Sequence, residues 1–197
     1  MRVMTMKQSP VLNDSQVKKV FKSVEMTKYP SRNRLILTLS YYVGLRSISI
    51  CSLTVGDVLN GDGSVKETVL LKNNQTKGNK SHSVVLSKFV REELRKYVSE
   101  HNLTEVEPSE PLIKSQQGGF FSSQSLQNLF KQLYKSVGLG DCSSHSGRRK
   151  FATSLDENGV SIYVISQLLN HSNISTTQRY IQTSKHRLEN SVNLLSY

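Results

Sequence analysis

The sequence predicts a mainly α-helical α+β domain with one small antiparallel β-sheet. Three observations predict it. Apolar residues recur three and four apart through most of the 197 residues, which is the period of an amphipathic helix. Only two short runs, Thr68-Val-Leu-Leu71 and His82-Ser-Val-Val-Leu86, have β character, and a polar segment joins them. Asn, Ser and Pro stand where the helical stretches begin, and Gly and Asn where they end.

Residues 1–12 read as a short polar lead, poorly ordered. Asn13-Asp-Ser15 caps a helix striped by Val17, Val20, Phe21 and Val24. Pro30-Ser31 opens a second helix with Leu35, Leu37, Leu39, Tyr42 and Val43 buried, and Gly44 closes it. Ile48 to Leu53 forms a short helix, and Asp57 to Ser64 is rich in turn residues. The two β runs then pair as a hairpin or sheet edge, connected through Asn73 to Lys80. Ser87 caps a helix carrying Phe89, Val90, Leu94, Tyr97 and Val98. After a loop with Pro108, Pro111 and Gly118-Gly119, Ser122 or Ser123 opens a helix with Leu126, Leu129, Phe130, Leu133 and Val137. Helices are expected at 145–158, 161–169, 175–182 and 185–196, the last with an apolar seam of Leu188, Val192 and Leu195. Residues 13–183 read as one domain followed by a C-terminal helix over 184–197.

Lys and Arg outnumber Asp and Glu by 26 to 15, a formal charge of +11. That excess favours a polyanionic partner, nucleic acid first. An anionic membrane fits less well, because the basic residues are spread along the chain instead of gathered on one amphipathic helix. No apolar run approaches the ~20 residues a membrane span needs. Cys51 and Cys142 lack metal-ligand spacing and read as reduced, buried side chains. No metal or other cofactor is expected.

The chemistry concentrates between His145 and Tyr180. In His145-Ser-Gly-Arg148 the histidine and arginine lie three apart and share a helix face. His171 follows, then Tyr180 nine positions on. Phenol, with an ordinary pKa of ~10, is a poor nucleophile; cations that stabilise phenolate and an incoming phosphate together make it useful. A phosphorane carries extra negative charge, and guanidinium forks answer that charge with paired hydrogen bonds. Arg46 and Arg148 fit that role, and each also fits a surface ion pair. His145 can exchange a proton with the phenol near neutral pH, and His171 can donate to a non-bridging oxygen. Lys77 fits both a solvated hairpin-tip lysine and one that reaches a minor groove and protonates a leaving 5′ oxygen. Lys80, Arg149, Lys150 and Arg179 are further basic residues expected against DNA phosphates.

Together these segments resemble the catalytic domain of the tyrosine recombinases, the phage-integrase family. Gly44-Leu-Arg46 resembles its first arginine motif, and Thr76-Lys-Gly-Asn-Lys80 its β-hairpin lysine motif. His145-Ser-Gly-Arg148 is similar to its His-x-x-Arg box, and Leu168-Leu-Asn-His171 through Tyr180 to its last box. The resemblance runs from about residue 12 to the C-terminus. It implies the family's catalytic fold, and catalytic roles for Arg46, Lys77, His145, Arg148, His171 and Tyr180, with Tyr180 the nucleophile. It implies cleavage and rejoining of double-stranded DNA through a 3′-phosphotyrosyl link, without ATP or metal, as in integration or excision of a mobile element. It further implies a homo-oligomer on DNA, dimer to tetramer, with residues 184–197 docking on a neighbouring protomer, and host DNA-bending or accessory proteins as partners. The setting it implies is the cytoplasm and nucleoid of a prokaryote, or a virus or mobile element of one. Ser49 stands where the family usually has an acid, three positions after Arg46. An acid there would orient Arg46; a serine can only hydrogen-bond it. The family's N-terminal core-binding domain is expected to be absent, as in a minimal or truncated member. A catalytically weakened DNA-binding accessory protein and a type IB topoisomerase are the alternative readings.

Overall fold

The computed structural model describes residues 9–78, 80–181 and 192–193. The chain divides into two compact units, Met1–Phe151 and Ala152–Tyr197. The expected mainly α fold with one two-stranded antiparallel sheet is what the structure shows.

In the first unit α1 (Asp14–Val24) starts at Asn13, whose side chain accepts from the Gln16 amide while the Gln16 side chain caps Asn13 in return. The next helix, α2 (Pro30–Tyr42), is buried almost all round, from Arg32 to Tyr41, as expected of a helix at the centre of a core. It packs against α1, α3 (Ser47–Ser52) and α5 (Lys88–Glu100). Tyr42 departs from expectation: it is exposed and meets the Phe89 ring edge-on at 4.8 Å, because it occupies the outward position of a last turn whose other residues, Leu39, Ser40 and Tyr41, are buried. α6 (Ser123–Ser136) packs on α1 and α3, with Leu126, Phe130, Leu133 and Tyr134 inward. The core is continuous from Leu12 to Cys142. Both cysteines are free and buried in it, and burial raises their thiol pKa values.

Strands β1 (Thr68–Leu71) and β2 (His82–Val85) pair in register Thr68↔Val85. Val69, Leu71 and Val84 face the core, whereas Leu70 and Val85 stay exposed, the alternation that period-2 geometry dictates. Two short elements were hidden in the sequence. A helix, α4 (Val55–Val58), runs into the turn-rich segment and is opened by a reciprocal cap between Thr54 and Asp57. The β1–β2 connection contains a 3₁₀ turn, Asn73–Gln75.

The lead expected to be poorly ordered is tied down from residue 9. Leu12 is fully buried, the Ser9 hydroxyl lies 2.6 Å from that of Ser143, and the Ser9 carbonyl accepts from Arg149 at 2.6 Å. α7 (Ser144–Glu157) carries the chain across the boundary between the units. Within the second unit α8 (Ile162–Leu168) packs against α9 (Ile174–Gln178). α9 is shorter than the expected 175–182, so Tyr180 lies in the turn after it, its amide donating to the Thr177 carbonyl at 2.9 Å. The helix expected at 185–196 falls outside the described residues except for 192–193, which are helical, with Val192 exposed.

Candidate active site

The site in the first unit is built around the backbone turn that ends α2. Gly44 takes φ 72°, a conformation open to glycine at little cost, and the Leu45 amide turns back to the Leu39 carbonyl at 3.1 Å. Arg46 comes two residues later as the extended residue that caps α3, and it is half-buried. Arg148, from the first turns of α7, is almost wholly buried, and its Nη1 donates to the Gly44 carbonyl. One peptide turn therefore presents Arg46 and anchors Arg148.

That anchorage depends on a close approach. A Cβ on Gly147 would meet the Ser40 hydroxyl and would lie 3.0 Å from the Tyr41 ring. A bare glycine lets α7 sit against the last turn of α2, next to the residue that must reach Gly44. The second middle position of the His-x-x-Arg spacing, Gly147, thus has a packing role that the spacing alone does not reveal.

His145 sits on the first turn of α7 and is exposed overall. Partial desolvation of its ring, followed by the charges of Arg148, Arg46 and Lys77, still depresses its pKa below the ordinary 6.5. Three candidate cations predicted from distant parts of the sequence thus act on one imidazole. His145 also borders an open cavity of about 490 Å³, whose wall includes Gln124, Gln127, Asn128 and Lys131 from the outer face of α6.

Lys77 is exposed on the β1–β2 connection, but the backbone before it is fixed from within. The buried Ser49 hydroxyl donates to the Gln75 carbonyl at 2.7 Å. Gln75 Nε2 donates to the Ser52 carbonyl at 2.9 Å and to Asp57 Oδ2 at 2.6 Å. Asp57 also pairs with Lys72 Nζ at 3.1 Å. Burial pushes the Asp57 carboxyl up, yet hydrogen bonds from Thr54, Gln75 and Lys72 outweigh it and hold the carboxyl below its usual range. Thr76 Oγ1 closes the loop onto the Lys80 carbonyl at 2.7 Å.

Two of the four residues expected to face DNA are taken up by the fold. Arg149 is buried, with Nη1 on the Ser9 carbonyl, and Lys150 Nζ pairs with Asp14 at 2.8 Å. In this structure both side chains bond the N-terminal segment. Lys80 and Arg179 are exposed.

The second unit holds His171 and Tyr180 together. Asn170, in left-handed conformation at φ 47°, turns the chain out of α8. His171 then hydrogen-bonds through Nδ1 to Oγ1 of the fully buried Thr177 at 2.8 Å. Its ring meets the half-buried Tyr180 ring edge-on, with centroids 5.5 Å apart. The Tyr180 carbonyl accepts from Thr153 Oγ1 at 3.1 Å. Among the described residues no cluster of three or more His, Cys, Asp or Glu has the makings of a metal site, and no helix is long and apolar enough to cross a membrane.

Similarity to known proteins covers both units. The family model described as the phage integrase family matches residues 10–187. The chain is 31% identical over 183 residues to tyrosine recombinase XerD of Oceanobacillus iheyensis, spanning 91% of this chain and 59% of that protein. Among solved structures, XerA recombinase superposes with a TM-score of 0.76 at 22% identity, over 95% of this chain and 65% of that one. XerH site-specific recombinase bound to palindromic difH, a post-cleavage complex, superposes with a TM-score of 0.74 at 24% identity, over 98% and 55%. The fold is that of tyrosine recombinase catalytic domains, although the chain spans only about three fifths of its XerD relative. With His145-x-x-Arg148, Arg46, His171 and Tyr180 all inside the matched residues, the chain belongs to the phage integrase family.

Proposed function

We propose that the chain is a site-specific recombinase that cleaves and rejoins double-stranded DNA through a 3′-phosphotyrosyl intermediate. The observation that carries this reading is the Gly44 turn, which presents Arg46 and binds the buried Arg148, three residues after His145 on α7. Such a concentration of positive charge beside a histidine suits a phosphate whose charge grows in the transition state. Tyr180 Oη bonds to phosphorus, its proton passing to His145, whose depressed pKa keeps the imidazole neutral and receptive at neutral pH. The bond from phosphorus to the 5′ oxygen breaks, and the Lys77 ammonium gives that oxygen its proton. Arg46 and Arg148 hold the equatorial oxygens, Arg148 in a fixed orientation because Gly44 already holds one arm. Thr177 sets the His171 ring so that Nε2 donates to a non-bridging oxygen. The phosphotyrosyl ester conserves the bond energy, so a 5′ hydroxyl can reverse the step.

DNA contact outside the reacting phosphate falls to Lys80, Arg179 and the amide-rich face of α6 beside His145, since Gln and Asn side chains suit base edges. Residues 13–183 serve as the catalytic domain, and residues 184–197 dock on a neighbouring protomer within a dimer or tetramer on DNA. Integration or excision of a mobile element in a prokaryotic cytoplasm is the setting this chemistry fits.

A nicked duplex that loses its short 5′ fragment on cleavage tests the reading, because the departed fragment cannot rejoin. The expected result is a covalent protein–DNA adduct for the wild-type chain, and none for Tyr180→Phe, which still binds the duplex. A wild-type chain that binds but never forms the adduct supports a DNA-binding accessory role instead.

A further inference from the structure

The notable departure from the family pattern, Ser49, has a partner in this structure. Ser49 is buried on α3, three residues after Arg46, and its hydroxyl donates to the carbonyl of Gln75, two residues before Lys77. Gln75 is itself buried, and its side chain bonds the Ser52 carbonyl, Asp57 and the Lys72 amide. The segment bearing Lys77 is thus bracketed onto the helix that Arg46 caps. An ionised carboxylate in place of Ser49 has no proton to give a carbonyl and would face its negative end in a dry site.

We propose that Ser49 is a positioning residue for Lys77: its hydroxyl, through the Gln75 carbonyl, sets where the Lys77 ammonium stands when a 5′ oxygen leaves. The inference rests on Lys77 acting as the acid in the reading above. It converts an apparent defect into a substitution matched to this chain, in which a hydroxyl donor fastens the lysine loop.

The test uses two versions of one cleavage substrate. One has the ordinary 5′ oxygen at the scissile phosphate; the other has sulfur in its place. A thiolate leaves without a proton, as a thiol pKa near 8.5 implies, so it bypasses any acid. Lys77→Ala is expected to slow cleavage of the oxygen substrate by about 100-fold, the low end for a lost general acid. Ser49→Ala should slow it by roughly tenfold, less than the about 100-fold that a misplacement of about 1 Å can cost, and both variants should cleave the sulfur substrate at close to the wild-type rate. That near-normal rate also shows that the variants are folded. Ser49→Asp, the kind of residue the family usually carries, should be no better than Ser49→Ala on the oxygen substrate. If Ser49→Ala is equally slow on both substrates, or unimpaired on the oxygen one, or if Ser49→Asp matches wild type, the inference is overturned. If Lys77→Ala stays slow on sulfur, the acid role of Lys77 fails first, and the inference falls with it.

Discussion

The two units hold their candidate residues differently. In the first unit the arginine pair stands on the core: Arg148 is buried and fixed to Gly44, and Arg46 caps a helix packed against α2 and α6. In the second unit His171 and Tyr180 follow short helices, α8 and α9, and are held by bonds within that unit to Thr177 and Thr153. In the proposed reaction the arginine pair would be in place before DNA arrives, as a preorganised electrostatic site requires. The nucleophile half rests on a few local hydrogen bonds, so single changes there should alter chemistry more than fold.

Short of removing Tyr180 itself, the largest effect should come from the arginine pair. Arg148→Lys keeps the charge but loses the fork, and cleavage is expected to fall by about 100- to 1000-fold, measured as the single-turnover rate of adduct formation. A loss below tenfold would show that the Gly44 anchorage is dispensable. In the nucleophile half, Thr177→Val keeps the buried volume and removes the hydroxyl that bonds His171. Cleavage should drop roughly tenfold, while the titration of His145 in the other unit stays unchanged. A shifted His145 midpoint would break the separation drawn between the halves.

Gly147→Ala tests the packing beneath the arginine pair. The added methyl meets Ser40 and the Tyr41 ring, and overpacking of this kind costs about 1–3 kcal/mol; denaturant unfolding should show it. Unchanged stability would mean that α7 has room to move away from α2. The smallest effect is on protons. NMR titration should place the His145 midpoint below 6.5, and Lys77→Ala should raise it, since Lys77 is one of the charges that depress it. The unfolded chain takes up this proton first, so acidification through 6.5 towards the folded midpoint should cost stability. A midpoint at or above 6.5 would remove His145 from the influence of the cations.

Much of this was legible in the sequence. Helical periodicity and caps gave the order of the elements, and the spacing from His145 to Arg148 gave the face that carries them. The sequence reading missed what depends on the backbone or on close contact. Ser49 bonds a carbonyl 26 residues away, and a carbonyl is common to every residue, so no side-chain pattern marks it. The bonds from Arg149 to the Ser9 carbonyl and from Lys150 to Asp14 join distant parts of the chain, so no local spacing marks them. Tyr180 was placed within a helix because Thr and Gln continue the helical pattern, whereas α9 stops at Gln178.

The most direct measurement is the identity of the residue that carries DNA. Wild-type chain trapped on the nicked duplex should, after proteolysis and mass spectrometry, yield one DNA-linked peptide, with a 3′-phosphate ester on Tyr180. A link to the exposed Tyr163, or to the 5′ side of the break, would contradict the account.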